Sequence, residues 1–292
     1  MTKLTFLGTG TSQGVPIIGC QCAVCTSSDS KDKRYRASVL VEHEGLTILV
    51  DAGPDFRSQM LRAGVRHVDA ILLTHNHLDH TGGLDDTRGF NYIDRKVVDI
   101  YCEPRVMDSL KQSYSYAFAE EKYPGAPEWH MHLIDDTPFE VKPSHDGNLE
   151  WVSGMGYAIK HEDGSITPTH GTLVTDHRNG TEGNIIPIRG FHGQMPVLGF
   201  RFGDIAYITD MSKLPESEFD KLKGLKHLTL NTVGYRPHHS HFCLDEAIAL
   251  ARRIDAKHTW LTHLSHTFPV YTEFCKNLPE GIAPAFDGLV ID

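Results

Sequence analysis

Short apolar runs separated by glycine or acidic turns dominate the first part of the chain. Residues 4–7, 38–42, 46–50 and 70–74 are rich in branched and other apolar side chains, which predicts strands. Residues 56–63 read as a helix ended by Gly64, and 103–118 also read as helical. Past the middle, strands are expected at 185–188, 197–202, 205–209, 227–231 and 258–262. Residues 244–254 place apolar side chains at helical spacing, with Glu246 near the start and Arg252 and Arg253 at the end, where each suits the helix dipole. Two β-rich halves with interspersed helices imply an α/β fold: two sheets face to face, flanked by helices, in one domain over 1–292.

The pattern breaks between 142 and 183. Glycine, threonine, histidine and charged residues take over, and only short apolar stretches survive. The segment reads as a polar insertion, a β-hairpin arm projecting from the main domain. Its histidines, His145, His161, His170 and His177, are widely spaced and fit no ligand pattern.

Composition narrows the class. With 40% hydrophobic and 23% charged residues the chain is an ordinary globular protein. No apolar run approaches the roughly 20 residues of a membrane helix, and the start reads as a strand rather than a leader peptide. A cytoplasmic protein without membrane contact is expected. The net charge of −10 argues against nucleic acid as a partner without excluding it, because bound cations would offset charge locally. Six cysteines in such a chain are not expected to form disulfides. Cys102, Cys243 and Cys275 stand singly, whereas Cys20, Cys22 and Cys25 are clustered.

Nineteen histidines are the outlying number. The strand at 70–74 runs into His75-Asn76-His77-Leu78-Asp79-His80, then Gly82 and Gly83. Side chains two apart on an extended segment face the same way, so His75 and His77 can share an ion. A turn then aims Asp79 and His80 at a neighbouring point, and the glycines let the backbone turn. Three later strands also end in metal-competent side chains, at His192, Asp210 and His263. A rigid scaffold presenting ligands at one rim is the physical reading.

His-x-His-x-Asp-His after a strand, followed in order by His192, Asp210 and His263, resembles the metallo-β-lactamase superfamily. The resemblance implies an αββα sandwich in which His75, His77 and His192 hold one divalent metal, zinc or manganese. Asp79, His80 and His263 would hold a second, with Asp210 bridging. The segments Gly8–Pro16, Cys20-Gln21-Cys22-Ala23-Val24-Cys25 and Thr262-His263-Leu264-Ser265-His266 look like the cyclic phosphate phosphodiesterases of the carbon–phosphorus lyase pathway and their relatives. That likeness implies a structural zinc on Cys20, Cys22, Cys25 and His266. It also implies a general acid just ahead of a helix: His241 matches best in His238-His239-Ser240-His241, with His239 second. His241 and Asp79 are therefore the expected catalytic residues. Asp55-Phe56-Arg57 and Asp85-Asp86-Thr87-Arg88 also resemble this family, and Arg88 is read as an ion-pair partner in preference to a phosphate clamp.

The resemblance implies hydrolysis of a small cyclic or nucleotide-like phosphodiester, with hydroxide held by both ions attacking phosphorus and His241 protonating the leaving oxygen. A tRNA 3′-processing endoribonuclease is one alternative, but the insertion sets Asp146, Glu150, Glu162, Asp163, Asp176 and Glu182 against Lys142, Lys160 and Arg178. A non-catalytic metal-bearing binding protein, similar to the pyrroloquinoline-quinone biosynthesis member, is another. Exact substrate and oligomeric state, including a homodimer, stay open.

Overall fold

The computed structural model describes residues 2–142, 148–152, 156–168 and 171–292. Among these residues one sheet has eight strands: β1 (Thr2–Gly8), β2 (Ser38–His43), β3 (Leu46–Val50), β4 (Ala70–Leu72), β5 (Val98–Cys102), β6 (Trp129–Leu133), β10 (Leu173–Asp176) and β17 (Val290–Ile291). They lie in the order β10-β6-β5-β4-β3-β2-β1-β17. A three-stranded meander comprises β7 (Asn148–Val152), β8 (Gly156–Lys160) and β9 (Ile166–Pro168). The second large sheet runs in sequence order: β11 (Ile185–His192), β12 (Met195–Phe202), β13 (Ile205–Tyr207), β14 (His227–Asn231), β15 (His258–Thr262) and β16 (Ile282–Pro284). The helices are α1 (Ala23–Thr26), α2 (Phe56–Ala63), α3 (Leu78–Thr81), α4 (Arg88–Asp94), α5 (Pro104–Ser113), α6 (Leu244–Ile254) and α7 (Tyr271–Lys276).

Alternation along the strands builds the layers. On β3, Leu49 faces α2 and α5, while Ile48 and Val50 face the second sheet. On β12, Leu198, Phe200 and Phe202 return that contact, and Val197 faces the opposite layer with Leu228, Leu230 and α6. The result is an αββα sandwich. Each fully buried Leu or Phe in these layers contributes about 1.5–3 kcal/mol relative to exposure. Helix α2 ends at Gly64 in the left-handed region (φ 67°). Helix α6 is capped by Glu246, whose carboxylate accepts the Cys243 N–H at 2.8 Å.

Three expectations are corrected. Helix α5 stops at Ser113 rather than 118, because Tyr114, Ala117 and Phe118 leave the helix to pack with Trp129, and the Tyr114 hydroxyl donates to Thr81 O at 2.8 Å. Strand β11 runs on to His192, which pairs with Met195 across a hairpin. The polar stretch 142–183 is split: β7–β9 form their own sheet, whereas β10 is an edge strand of the large one, parallel to β6. Backbone pairing at an edge needs no apolar side chains, so composition hid β10. The segment loops out from a bridge between Phe139 and Ile185, joined by N–H···O bonds of 3.1 Å in both directions. His145 and His170 lie outside the described residues.

The parallel strands carry the site. β3 and β4 run parallel in one sheet, as do β13, β14 and β15 in the other. Their carboxyl ends share a rim, where Leu198 N–H donates to Thr74 O at 3.0 Å between the sheets. No helix among the described residues is long and apolar enough to cross a membrane.

Candidate metal centre

The segment after β4 turns into α3, so His75 lies before the helix, His77 caps it, and Asp79 and His80 sit in its only full turn. The turn after β3 packs beneath: a Cβ on Gly53 would stand 2.0 Å from Asp79 O, and one on Gly83 2.1 Å from Gly53 O. Gly83 has φ −100° and Gly82 −68°, so close backbone approach, not left-handed torsion, is what this loop asks of Gly83. By contrast Asp51, Asp210 and His263, each just past a strand of the rim, have φ of 64°, 58° and 58°. Such torsions in non-glycine residues cost about 1–3 kcal/mol and cluster at functional sites.

Six imidazoles converge here. Ring centroids of His75 and His77 are 4.7 Å apart, His77 and His192 5.0 Å, and His75 and His192 5.9 Å. His80 and His263 stack at 6.0 Å, and His241 lies 4.7 Å from His263 and 4.6 Å from His192. Asp210 is central: Oδ2 stands 3.1 Å from both His80 Nε2 and His263 Nδ1, and Oδ1 3.7 Å from His241 Nδ1. Asp79 Oδ2 is 3.4 Å from His80 Nε2. His77 is exposed, His192 partly so, and His75, His80, Asp210 and His263 are buried.

Outer hydrogen bonds fix which nitrogen faces inward. His80 Nδ1 lies 2.7 Å from Asp51 Oδ2, which also accepts the Thr74 hydroxyl at 2.8 Å; Asp51 Oδ1 accepts the Thr74 N–H at 2.9 Å. With the Thr74 proton committed to Asp51, its oxygen accepts from His75 Nδ1 at 2.9 Å. His192 Nδ1 donates to Asp210 O at 3.1 Å. Each ring thus turns Nε2 inward, the arrangement of metal-binding imidazoles. His75 Nε2, His80 Nε2, His241 Nδ1 and His263 Nδ1 are buried without a well-directed hydrogen bond among the described residues. Buried lone pairs converging on carboxylates fit cations. Donor atoms of His75, His80 and Asp210, of Asp79, Asp210 and His263, and of His192, Asp210 and His241 each form a compact set.

Asp51 was not singled out from sequence, yet it follows the same grammar as Asp210, an acid just past an apolar strand. Electrostatics agree with the geometry. Burial alone would raise the pKa of Asp210, but His263 and His80 hold it well below the carboxylate range. Burial opposes the charged form of His80, yet Asp210, Asp51 and Asp79 push it well up in the ion-free protein. Burial, helped by His263, holds His241 down at about 3.

A second cluster surrounds His266 Nδ1, with the sulfurs of Cys20, Cys22 and Cys25 at 3.2, 3.5 and 3.6 Å. Cys22 is lowered to about 6, first by the Cys25 N–H directed at its sulfur, while burial pushes Cys25 up to about 11. Three sulfurs and one imidazole suit a closed tetrahedral metal site. Between the clusters lies a cavity of about 680 Å³, lined by Thr11, Gln13, Tyr235, Arg236, His241 and Thr267 among others. His239 is exposed beside His238 rather than in this lining. Arg88 pairs with Asp85 at 2.8 Å, as read from sequence, and Arg57 lines a separate surface groove.

Residues 47–264 match the family model of the beta-lactamase superfamily domain. A Porphyromonas gingivalis protein named octanoyltransferase is 36% identical over 290 residues, 98% of this chain and 51% of its own length. Coenzyme PQQ synthesis protein B of Xanthomonas campestris pv. campestris is 27% identical over 197 residues, 61% of this chain and 62% of its own. The chain thus spans about half the length of the first relative and under two thirds of the second. Among solved structures, a diphosphatase of the PhnP family aligns with a TM-score of 0.79 at 35% identity, covering 99% of this chain and 96% of that one. Zinc-bound PqqB of Methylobacterium extorquens aligns over 99% of both chains at 0.67 and 18% identity, a likeness of fold.

Proposed function

The chain belongs to the metallo-β-lactamase superfamily of hydrolases, and from that premise we propose that it is a dinuclear metal-dependent phosphodiesterase acting on a small cyclic or nucleotide-like phosphodiester. The observation that carries this reading is the cavity of about 680 Å³ joining the ligand cluster to His241 and Arg236. It has room for a nucleotide-sized diester, and Arg236 offers a fork for phosphate oxygens.

His75, His77 and His192 would hold one cation, Asp79, His80 and His263 the other, and Asp210 both. Such a pair supplies Lewis acidity toward phosphate oxygens and lowers the pKa of a bound water. Zinc or manganese suits these nitrogen and carboxylate donors. The cysteine cluster with His266 would hold a structural zinc. His241, with Nδ1 turned to Asp210 and Nε2 left for substrate, would hand its proton to the leaving oxygen. Burial keeps the ring neutral in the ion-free protein, so an anionic diester must favour its charged form before it can act as the acid. The compact set it forms with His192 and Asp210 supports a second role, as a ligand.

An RNA-binding arm has little support. The insertion's cations are paired: Lys142 with Glu140 at 3.0 Å, Lys160 with Glu150 at 3.8 Å and Arg178 with Asp176 at 2.5 Å. A cytoplasmic location follows from the same reading, as a nucleotide-like substrate would be met there. Purified protein reloaded with Mn²⁺ or Zn²⁺ is to be assayed on cyclic nucleotides, nucleotide diesters and an activated aryl diester. Turnover of a small diester is expected; hydrolysis of thioesters or lactams with none of diesters would reject the proposal.

A further inference from the structure

The large sheet carries another histidine cluster, away from the rim. On β5 and β6, Val98, Ile100, Trp129 and Met131 face the helices, so Asp99, His130 and His132 lie on the opposite face. Asp99 and His132 are buried and His130 partly so. Asp99 Oδ1 stands 2.7 Å from His132 Nε2 and 3.5 Å from His130 Nδ1. The other nitrogen of each ring is held by the strand alongside or the residue after it. His130 Nε2 meets Thr175 Oγ1 at 2.8 Å, and His132 Nδ1 meets His177 Nε2 at 2.8 Å. Tyr101 stacks on His132 at 4.3 Å.

As with His75 and His80 at the rim, each imidazole has one nitrogen fixed by an outer partner and the other turned toward a carboxylate, although here His132 Nε2 is already hydrogen-bonded to Asp99. Outer partners of this kind set the tautomer and orientation of metal-binding imidazoles. Spacing agrees. Donors about 2.0–2.2 Å from a zinc ion stand roughly 3–3.5 Å apart in a tetrahedral site. His130 and Asp99 already have that separation, and His132 must retreat from Asp99 by less than about 1 Å.

We propose that Asp99, His130 and His132 form a further divalent-cation site, with Thr175 and His177 orienting the two imidazoles. Two nitrogens and a carboxylate oxygen suit zinc or a neighbouring first-row ion. Binding ties β5 and β6, through the outer partners, to β10. The ion therefore clamps the far end of the polar insertion onto the sandwich.

The test counts zinc in the full-length protein after equilibrium dialysis against a buffered low free zinc concentration. Asp99→Asn keeps a hydrogen-bond acceptor and adds no volume, and His130→Gln alters the more accessible ligand. Wild type is expected to hold about one zinc per chain more than either variant. Equal zinc in wild type and in a folded variant, checked by circular dichroism, overturns the site and leaves a hydrogen-bonded network. A second readout needs no variant: in wild type, zinc should slow amide exchange at 173–177. Unchanged exchange there under the same zinc would also overturn the proposal.

Discussion

His241 is where the chemistry can be tested on one side chain. As proton donor its loss should slow cleavage of a diester with an alkoxide leaving group by about 10²–10⁴-fold, and that of a nitrophenyl diester far less. Equal losses together with reduced metal content would assign it instead as a ligand beside His192 and Asp210. Asp51 makes the complementary case, since it touches no substrate yet holds His80 directly and His75 through Thr74. Asp51→Ala should weaken retention of the rim cations by about 10–100-fold while the fold persists. Dialysis against a chelator series would measure this, and wild-type retention would exclude the orienting role.

At the scale of elements, the division of 142–183 matters most. The meander β7–β9 pairs within itself, and Leu149 N–H donates to Arg95 O at its base. Replacing 148–168 by a short turn should leave a folded, metal-loaded protein that turns over a small activated diester. Deleting the whole of 142–183 removes β10 as well, exposing the edge of β6 and a row of unpaired backbone groups. That variant should melt lower and aggregate more readily in a circular dichroism melt. Identical melting of the two deletions would mean that β10 contributes nothing to the sheet.

The whole molecule should respond to acid through its buried imidazoles. His241 and His130 have folded pKa values of about 3 and 4, in each case lowered first by burial, against an ordinary 6.5. His75, His192 and His263 shift the same way. Below 6.5 the unfolded chain takes up protons that these folded rings refuse, so their neutral burial is tolerated above 6.5 and turns destabilising as pH falls. His80 and His67 act in the opposite sense, with raised values, but the lowered rings outnumber them. Metal-free protein should therefore melt at a lower temperature near pH 5 than near pH 7, both being approximate settings. A melting temperature that rises on acidification would show that the ion pairs of His80 and His67 outweigh the buried rings.

The converging His and Asp residues of the rim and the layers of the sandwich were legible along the chain, because both are written in local pattern. Apolar alternation places β3, β14 and β15, helical spacing places α6, and strand-terminal His and Asp residues stand out against apolar runs. Local pattern does not encode what distant segments do for each other. Asp51 lies over twenty residues from the histidines it orients, β10 is only four residues long within a polar stretch, and His177 matches no motif until β10 pairs with β6 and lays it against His132. These roles depend on pairing register and on which buried nitrogens face one another. Only the packed sheets decide that, since the hydrogen bond and the cation both require positions fixed in three dimensions to fractions of an ångström.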